Sequence, residues 1–467
     1  MLHNILILAK INGLYFYYIL IYINFKERVM AIKVGFISLG CPKNLIDTEY
    51  MIGKLYNDKN FEIVANSDAA DVVVINTCGF IESAKQEAID TIFEFVEKKK
   101  NGLKSVVVTG CLAQRYKEEI IKNIPEVDAV LGNYSDSVLK LAIENSLKGE
   151  KFQYFNSENC IKYVGERVLS TPPHYAYLKI AEGCNNFCSY CAIPNIKGRY
   201  QSRPIEDILK EAKWLESKNI KELIIVAQDT TYYGFDIYKE FKLSQILQEL
   251  ATLNFKWIRF LYAYPERIGI SLIETVRNNK NILPYFDMPI QHINDEILKK
   301  MNRKTNSEQI FEKIELIRNT LPNATLRTTL IAGFPGETDE QFEELLNFVK
   351  KVEFDRLGCF SYSKEEGTRA FNFENQISEK TKKLRTKLIY KESSNILNKK
   401  STKYIGKNVE VIIDKKSDGL YIGRTERDAP DIDCLVYFKS DTNLSVGDFV
   451  NVKIENVSES DLFGVVS

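Results

Sequence analysis

Residues 175–191 read Tyr175-Ala-Tyr-Leu-Lys-Ile-Ala-Glu-Gly-Cys184-Asn-Asn-Phe-Cys188-Ser-Tyr-Cys191. The stretch opens as a buried strand and ends as a loop that packs three cysteines into eight residues. Three thiolates at this spacing can wrap one face of a [4Fe–4S] cluster and leave its fourth iron open to a ligand. Zinc is the competing reading, but a structural zinc takes four ligands in paired spacing, and no fourth Cys or His is near in sequence. Downstream, strand patterns recur at 222–227, 257–263, 285–289, 325–332 and 355–362. Helical patterns at 205–218, 243–253, 307–319 and 339–352 alternate with them. Six strand–helix units in about 200 residues predict an incomplete (β/α)6 barrel over 170–376, with function on the loops after its strands. One such loop, Ile331-Ala-Gly333-Phe-Pro-Gly336-Glu-Thr338, carries glycines that let backbone approach a ligand.

Upstream, residues 31–150 alternate short β-branched runs (33–39, 71–77, 105–109, 128–131) with helical stretches, which predicts a doubly wound parallel α/β domain. In the helical stretch 82–100 the apolar face is Ala88, Ile89, Ile92, Phe93 and Val96. Cys41, Cys78 and Cys111 each follow the carboxyl end of a strand, beside Gly40, Gly79 and Gly110. Those ends share one rim in an open α/β sheet, so cysteines distant in sequence can converge there on a metal or cluster. Three independently buried cysteines are the alternative.

The whole chain has 467 residues, with 63 Lys+Arg balancing 63 Asp+Glu. That balance argues against a protein that coats nucleic acid by bulk charge. Only His3, His174 and His292 are present, which leaves little room for His-built metal sites or triads. Nine cysteines, an odd number in a long chain, fit thiolate ligands in a reducing compartment better than a disulfide framework. Cys359 and Cys434 fall in strand patterns and read as core, and Cys160 falls between domains. His292 reads as a structural histidine rather than a catalytic one. Residues 1–30 hold an apolar run (14–25) too short and interrupted for a membrane span. They are expected to be an over-extended start, with Met30 as the true one.

Residues 377–407 form a basic helical pattern read as a solvated linker. Beyond it, strand patterns at 409–413, 420–424, 434–438 and 449–454 predict a small all-β, OB-like barrel over 408–467. From Ser401 to Ser467 there are eight Lys+Arg against twelve Asp+Glu. The acidic group Asp428, Asp431 and Asp433 is therefore expected to face a basic protein surface rather than RNA.

Taken with Ser38-Leu-Gly-Cys-Pro-Lys-Asn44, Ile75-Asn-Thr-Cys-Gly-Phe-Ile-Glu-Ser-Ala84, Gln228-Asp-Thr230, Pro289-Ile-Gln-His292 and Gly423-Arg-Thr-Glu-Arg-Asp-Ala-Pro430, the chain from residue 31 onward resembles the radical S-adenosylmethionine (SAM) methylthiotransferases. It is most similar to the members that modify an aspartate of ribosomal protein S-twelve, and its tail resembles a TRAM domain. The resemblance implies two [4Fe–4S] clusters. Cys184, Cys188 and Cys191 would hold the SAM cluster, with Gly333 and Gly336 in the SAM contact region. Cys41, Cys78 and Cys111 would hold an auxiliary cluster that handles sulfur. Two SAM molecules per turnover would be used, one as methyl donor and one as source of a 5′-deoxyadenosyl radical, to place a methylthio group on the aspartate β-carbon. Implied partners are the ribosomal protein or small subunit, a reductase and a sulfur donor, in the cytoplasm and without a membrane. Methylthiolation of a tRNA adenosine is the alternative within the family; a non-catalytic iron–sulfur or zinc module that docks on the ribosome is the alternative of another class.

Overall fold

The computed structural model describes residues 31–155 and 167–467. The start-site expectation, His3 and Cys160 lie outside the described residues. No helix among the described residues is long and apolar enough to cross a membrane.

The amino-terminal domain is a six-stranded, all-parallel sheet: β1 (Ile32–Ser38), β2 (Phe61–Val64), β3 (Val72–Thr77), β4 (Ser105–Gly110), β5 (Ala129–Leu131) and β6 (Phe152–Tyr154), in the order β2-β1-β3-β4-β5-β6. The central strands β3 and β4 are buried throughout, as their near-continuous Val/Ile runs require. The edge strands β2 and β6 escaped the sequence reading because they are short and only half buried. Strand order reverses between β1 and β3, so the crevice where such sheets bind ligands opens at the loops carrying Cys41 and Cys78. Helix α1 (Pro42–Tyr56) starts directly after Cys41, and helix α2 (Glu82–Lys98) packs Ala88, Ile92, Phe95 and Val96 against the sheet. Phe93 is 48% exposed instead, its expected place taken by Phe95. Helix α3 (Cys111–Tyr116) begins at the third cysteine.

The central unit has six parallel strands: β7 (Tyr175–Lys179), β8 (Glu222–Val226), β9 (Trp257–Phe260), β10 (Tyr285–Gln291), β11 (Thr325–Ala332) and β12 (Arg356–Ser361). They form two three-stranded halves, β9-β8-β7 and β10-β11-β12. A single bridge between Ile258 and Ile282 and the bond from Ala263 N to Asp287 O (2.8 Å) join the halves. The barrel is therefore open, as expected. Its sixth helix, α4 (Glu379–Ser401), is the segment read as a solvated linker. It packs Ile389 and Ile396 into the barrel core, and Arg385 pairs with the buried Glu337 at 2.7 Å. The reading missed this because the helix is dominated by lysines; only five widely spaced positions, Lys382, Arg385, Ile389, Ile396 and Ser401, face inward. Its outer face does stay basic, with Lys380, Lys383, Lys387 and Lys391 exposed.

The carboxyl-terminal domain is a closed five-stranded barrel of β13 (Asn408–Ser417), β14 (Leu420–Arg424), β15 (Val436–Lys439), β16 (Phe449–Ser458) and β17 (Asp461–Val466), closed in the order β13-β14-β15-β17-β16. The last strand, absent from the sequence reading, closes it through parallel pairing with β15. This domain seats on the amino ends of the central strands. Buried Arg424 donates to Glu222 (2.8 Å) and Asp414 (2.8 Å), and Glu222 also accepts from Arg259 (2.9 Å). Tyr285 donates to Asp433 (2.6 Å), and Asp428 pairs with Arg356. This corrects the reading of the acidic group. Asp428 pairs with Arg356, and Asp433 is held by Tyr285 with Arg327 at 3.6 Å, all within the chain; Asp431 alone of the three is exposed.

Candidate active site

The carboxyl ends of the central strands carry the first cysteine trio. Gly183 turns the chain at φ +73°, and a Cβ there would lie 2.1 Å from Arg199 O, so only glycine fits before Cys184. Asn186 donates to Cys184 Sγ (3.4 Å) and to Asp229 (2.7 Å). Arg267 clamps the same pair, donating to Asp229 (2.8 Å) and to Asn186 Oδ1 (2.6 Å). Ser189 N donates to Met301 O (2.9 Å), which ties the loop to the next segment of the rim. Arg303 points Nη1 at Cys188 Sγ (3.9 Å), and the Tyr264 hydroxyl lies 3.9 Å from the same sulfur. Burial pushes the Cys184 thiol up to about 12 and Cys191 well above its ordinary value, with the neighbouring thiols of the trio adding to it. Such thiols stay protonated until a metal core displaces the protons.

The second trio assembles from three strand ends. A Cβ on Gly40 would lie 2.7 Å from Cys78 Cβ, which brings the Cys41 turn onto the Cys78 turn. Asn44, in the first turn of α1, stitches the set: its Nδ2 donates to Leu39 O (3.2 Å) and Thr77 O (2.9 Å), and its Oδ1 lies 3.6 Å from Cys111 Sγ. Burial raises Cys78, and it pushes Cys111 up to about 12, with Cys41 adding to both and Cys78 adding to Cys111. Among the described residues no three His, Cys, Asp or Glu side chains close around a single-ion point. Trios of thiols spread over separate turns, with glycine beside them, fit a multi-iron core better than one zinc ion.

The two trios meet. Cys111 packs directly on Ala192 and Ile196, the residues that follow Cys191. Asn133 donates to Ile196 O (2.8 Å) across the same junction. Below it, Asp47 of α1 accepts from Lys179 (2.6 Å) and Lys197 (3.1 Å), and both lysines also pair with Glu182. Burial alone would raise Glu182, but Lys179 and Lys197 overrule it and hold its carboxyl at about 2. The loop after β12 adds a strap. Glu365 accepts from Arg115 of α3 (2.7 Å) and pairs with Lys85 of α2 (3.1 Å), and Ala370 N donates to Ser189 O (2.8 Å). The junction is thus bonded on two sides.

Models of known families match in the same three blocks: the Radical SAM superfamily over residues 178–349, the Uncharacterized protein family UPF0004 over 33–132 and the TRAM domain over 405–466. A protein of Clostridioides difficile (strain 630) named ribosomal protein uS12 methylthiotransferase RimO is 50% identical, covering 93% of this chain and 99% of its own. A protein of the same name from Thermoanaerobacter sp. (strain X514) is 47% identical, covering 92% and 99%. The chain belongs to this methylthiotransferase family. Family membership makes it a radical SAM enzyme that transfers a sulfur-containing group, and it implies SAM and [4Fe–4S] as cofactors. Among solved structures, the radical SAM methyltransferase TsrM from Kitasatospora setae, with cobalamin and a [4Fe–4S] cluster bound, shares the fold. Its TM-score is 0.51 at 13% identity, covering 71% of this chain and 75% of that one.

All six cysteines named from the sequence lie in the segments that follow strand ends. A Cβ on Gly333 would lie 2.4 Å from Lys382 Cγ, so a side chain there would collide with α4. Gly336, at φ +79°, would meet only the Lys300 ammonium, at 3.0 Å. His292 is fully buried; its Nδ1 accepts from Asn294 N (3.0 Å), while its Nε2 lies 3.5 Å from Glu337 without a hydrogen-bond partner. Cys359 is core, while Cys434 is half-buried beside the Arg356–Asp428 pair. A cavity of ≈ 340 Å³ lies at the barrel base, lined by Arg356, Lys400, Tyr404 and Arg427 among others, and holds none of the six cysteines. Sequence reasoning assigned no role to Asn44, Asn186, Asp229, Arg267 or Arg303. The Gln228-Asp-Thr230 run, polar at a buried strand end, was the available signal for Asp229.

Proposed function

We propose that the chain replaces a hydrogen on the β-carbon of an aspartate of ribosomal protein uS12 with a methylthio group. Cys184, Cys188 and Cys191 hold one [4Fe–4S] cluster at which SAM binds, and Cys41, Cys78 and Cys111 hold a second that carries sulfur. When bound, these groups would supply a hydrogen-abstracting radical and a methylated sulfur, with two SAM molecules used per turnover. The protein's part is placement. Asn186, Asp229 and Arg267 fix the loop of the first trio, and Arg303 and Tyr264 offer donors to Cys188. Asn44 fixes the three turns of the second trio. Backbone around Gly333 and Gly336 borders the SAM position. An outside reductase and sulfur donor complete the reaction, which takes place in the cytoplasm.

The observation that carries this reading is the packing of Cys111 on Ala192 and Ile196. A carbon radical made at one trio must be trapped by sulfur at the other before it escapes, and only adjacency allows that. The test is anaerobic reconstitution, reduction, and incubation with SAM and either uS12 or tRNA. The expected result is 5′-deoxyadenosine together with the mass gain of a methylthio group on uS12. Methylthiolated tRNA with unmodified uS12 would overturn the substrate; one zinc per chain and no 5′-deoxyadenosine would overturn the chemistry.

A further inference from the structure

Three lysines are buried where the amino-terminal domain meets the barrel rim, and they are not alike. Lys179 and Lys197 each pair with Asp47 and Glu182. Lys43 is 8% exposed, yet among the described residues no carboxylate forms an ion pair with it. Its ammonium instead sits over the Tyr262 ring, 3.6 Å from the centroid. Tyr262 and Cys41 act on it most strongly, and the one carboxylate whose charge reaches it, Glu182, is already bonded to Lys179, Lys197 and Gln228. A buried ammonium set between an aromatic ring and a thiol, with no carboxylate of its own, can receive an anion.

Tyr262 itself is held in an uncommon conformation. Its φ is +60°, sustained by Thr230 N donating to its carbonyl (3.1 Å) and by its own N–H donating to Asp287 (3.0 Å). A half-buried tyrosine kept left-handed at the end of a barrel strand marks a place where the structure spends stability on position. Lys43 is two residues from Cys41, so this cation lies between the second trio and the barrel mouth.

We propose that Lys43, backed by Tyr262, is the binding site for the carboxylate of the substrate side chain that is to be modified. The inference rests on the function proposed above. In an aspartate the carboxylate is bonded directly to the β-carbon, so a fixed cation at Lys43 sets that carbon beside the two trios. It also selects an acid over its amide, because an amide would leave the ammonium unmatched.

The experiment measures binding, not turnover. Reconstituted protein without reductant is titrated anaerobically with uS12 and with uS12 carrying Asn at the target aspartate, for wild type, Lys43→Met, Lys43→Gln and Lys43→Arg. Wild type is expected to prefer the aspartate form by about tenfold or more, the usual worth of a charge-assisted hydrogen bond. Lys43→Met and Lys43→Gln are expected to lose that preference with full iron content, and Lys43→Arg to recover part of it. A Lys43→Met protein that keeps the preference overturns the inference. So does one that loses iron while keeping the preference, since Lys43 would then be the counter-charge of the second cluster. Wild type that binds neither form of uS12 overturns the substrate reading itself.

Discussion

The two ends of the central barrel both bury charge, and they treat it in opposite ways. At the base, where the small barrel seats, each buried carboxylate has a cation or hydroxyl of its own. Glu222 has Arg259 and Arg424, Asp414 has Arg424 and His174, and Asp433 has Tyr285. At the rim Glu182 and Asp229 are paired as well, but other groups are left open. Lys43 faces a ring, Arg303 Nε and Glu266 Oε2 have no hydrogen-bond partner, and four of the six cysteine thiols are pushed upward. A closed network holds two domains in register; an open one is poised for ligands. Stability and function are thus segregated along one axis of one barrel.

The sharpest way to break this comparison is at the rim. Cys184→Ala is expected to abolish 5′-deoxyadenosine formation and remove one cubane EPR signal while the other persists. Cys41→Ala should remove the other signal and abolish methylthiolation. If either variant loses both signals, the trios are not independent sites.

At the base, Arg424→Met strands Glu222 and Asp414 without their shared cation. It should destabilise the protein by about 3–5 kcal/mol, the range for breaking a buried pair from one side, read as a lower urea midpoint. A shift under about 1 kcal/mol would place the base contacts with weak surface pairs.

Acid offers a milder probe. Burial alone would raise Asp414, but the bond to His174 and the Arg424 charge hold its carboxyl below the ordinary 3.8. A depressed carboxyl stabilises the fold above that unfolded-state value, and the contribution disappears as pH falls through the folded one. Asp414→Asn should therefore lower stability at neutral pH and flatten the acid limb below pH 3.8 in a circular-dichroism titration. An unchanged acid limb would remove Asp414 from the base network.

The smallest effect is expected from Lys43→Met. Replacing an ammonium that has no carboxylate partner with an isosteric apolar chain should leave the thermal midpoint unchanged or raise it. A large loss of stability would put Lys43 in the same class as Arg424 and erase the contrast between the two ends.

Local sequence was sufficient wherever the chemistry is local. The CxxxCxxC loop, the Val/Ile runs of β3 and β4 and the turn-punctuated strands of the tail each declare themselves within a few residues, because thiolate spacing and strand burial act over that range. Cys41, Cys78 and Cys111 were legible one step further, since parallel strands place their carboxyl ends on one rim. What only the tertiary structure decided is which groups are spoken for. Asp428 and Asp433 look like a partner's landing site in sequence and prove to be bonded to Tyr285 and Arg356. Helix α4 looks solvated and completes the barrel. Lys43 looks like any surface lysine and proves to be buried without a carboxylate. Charge is written in the sequence, but its compensation depends on contacts between residues up to hundreds of positions apart, and only folding brings those together.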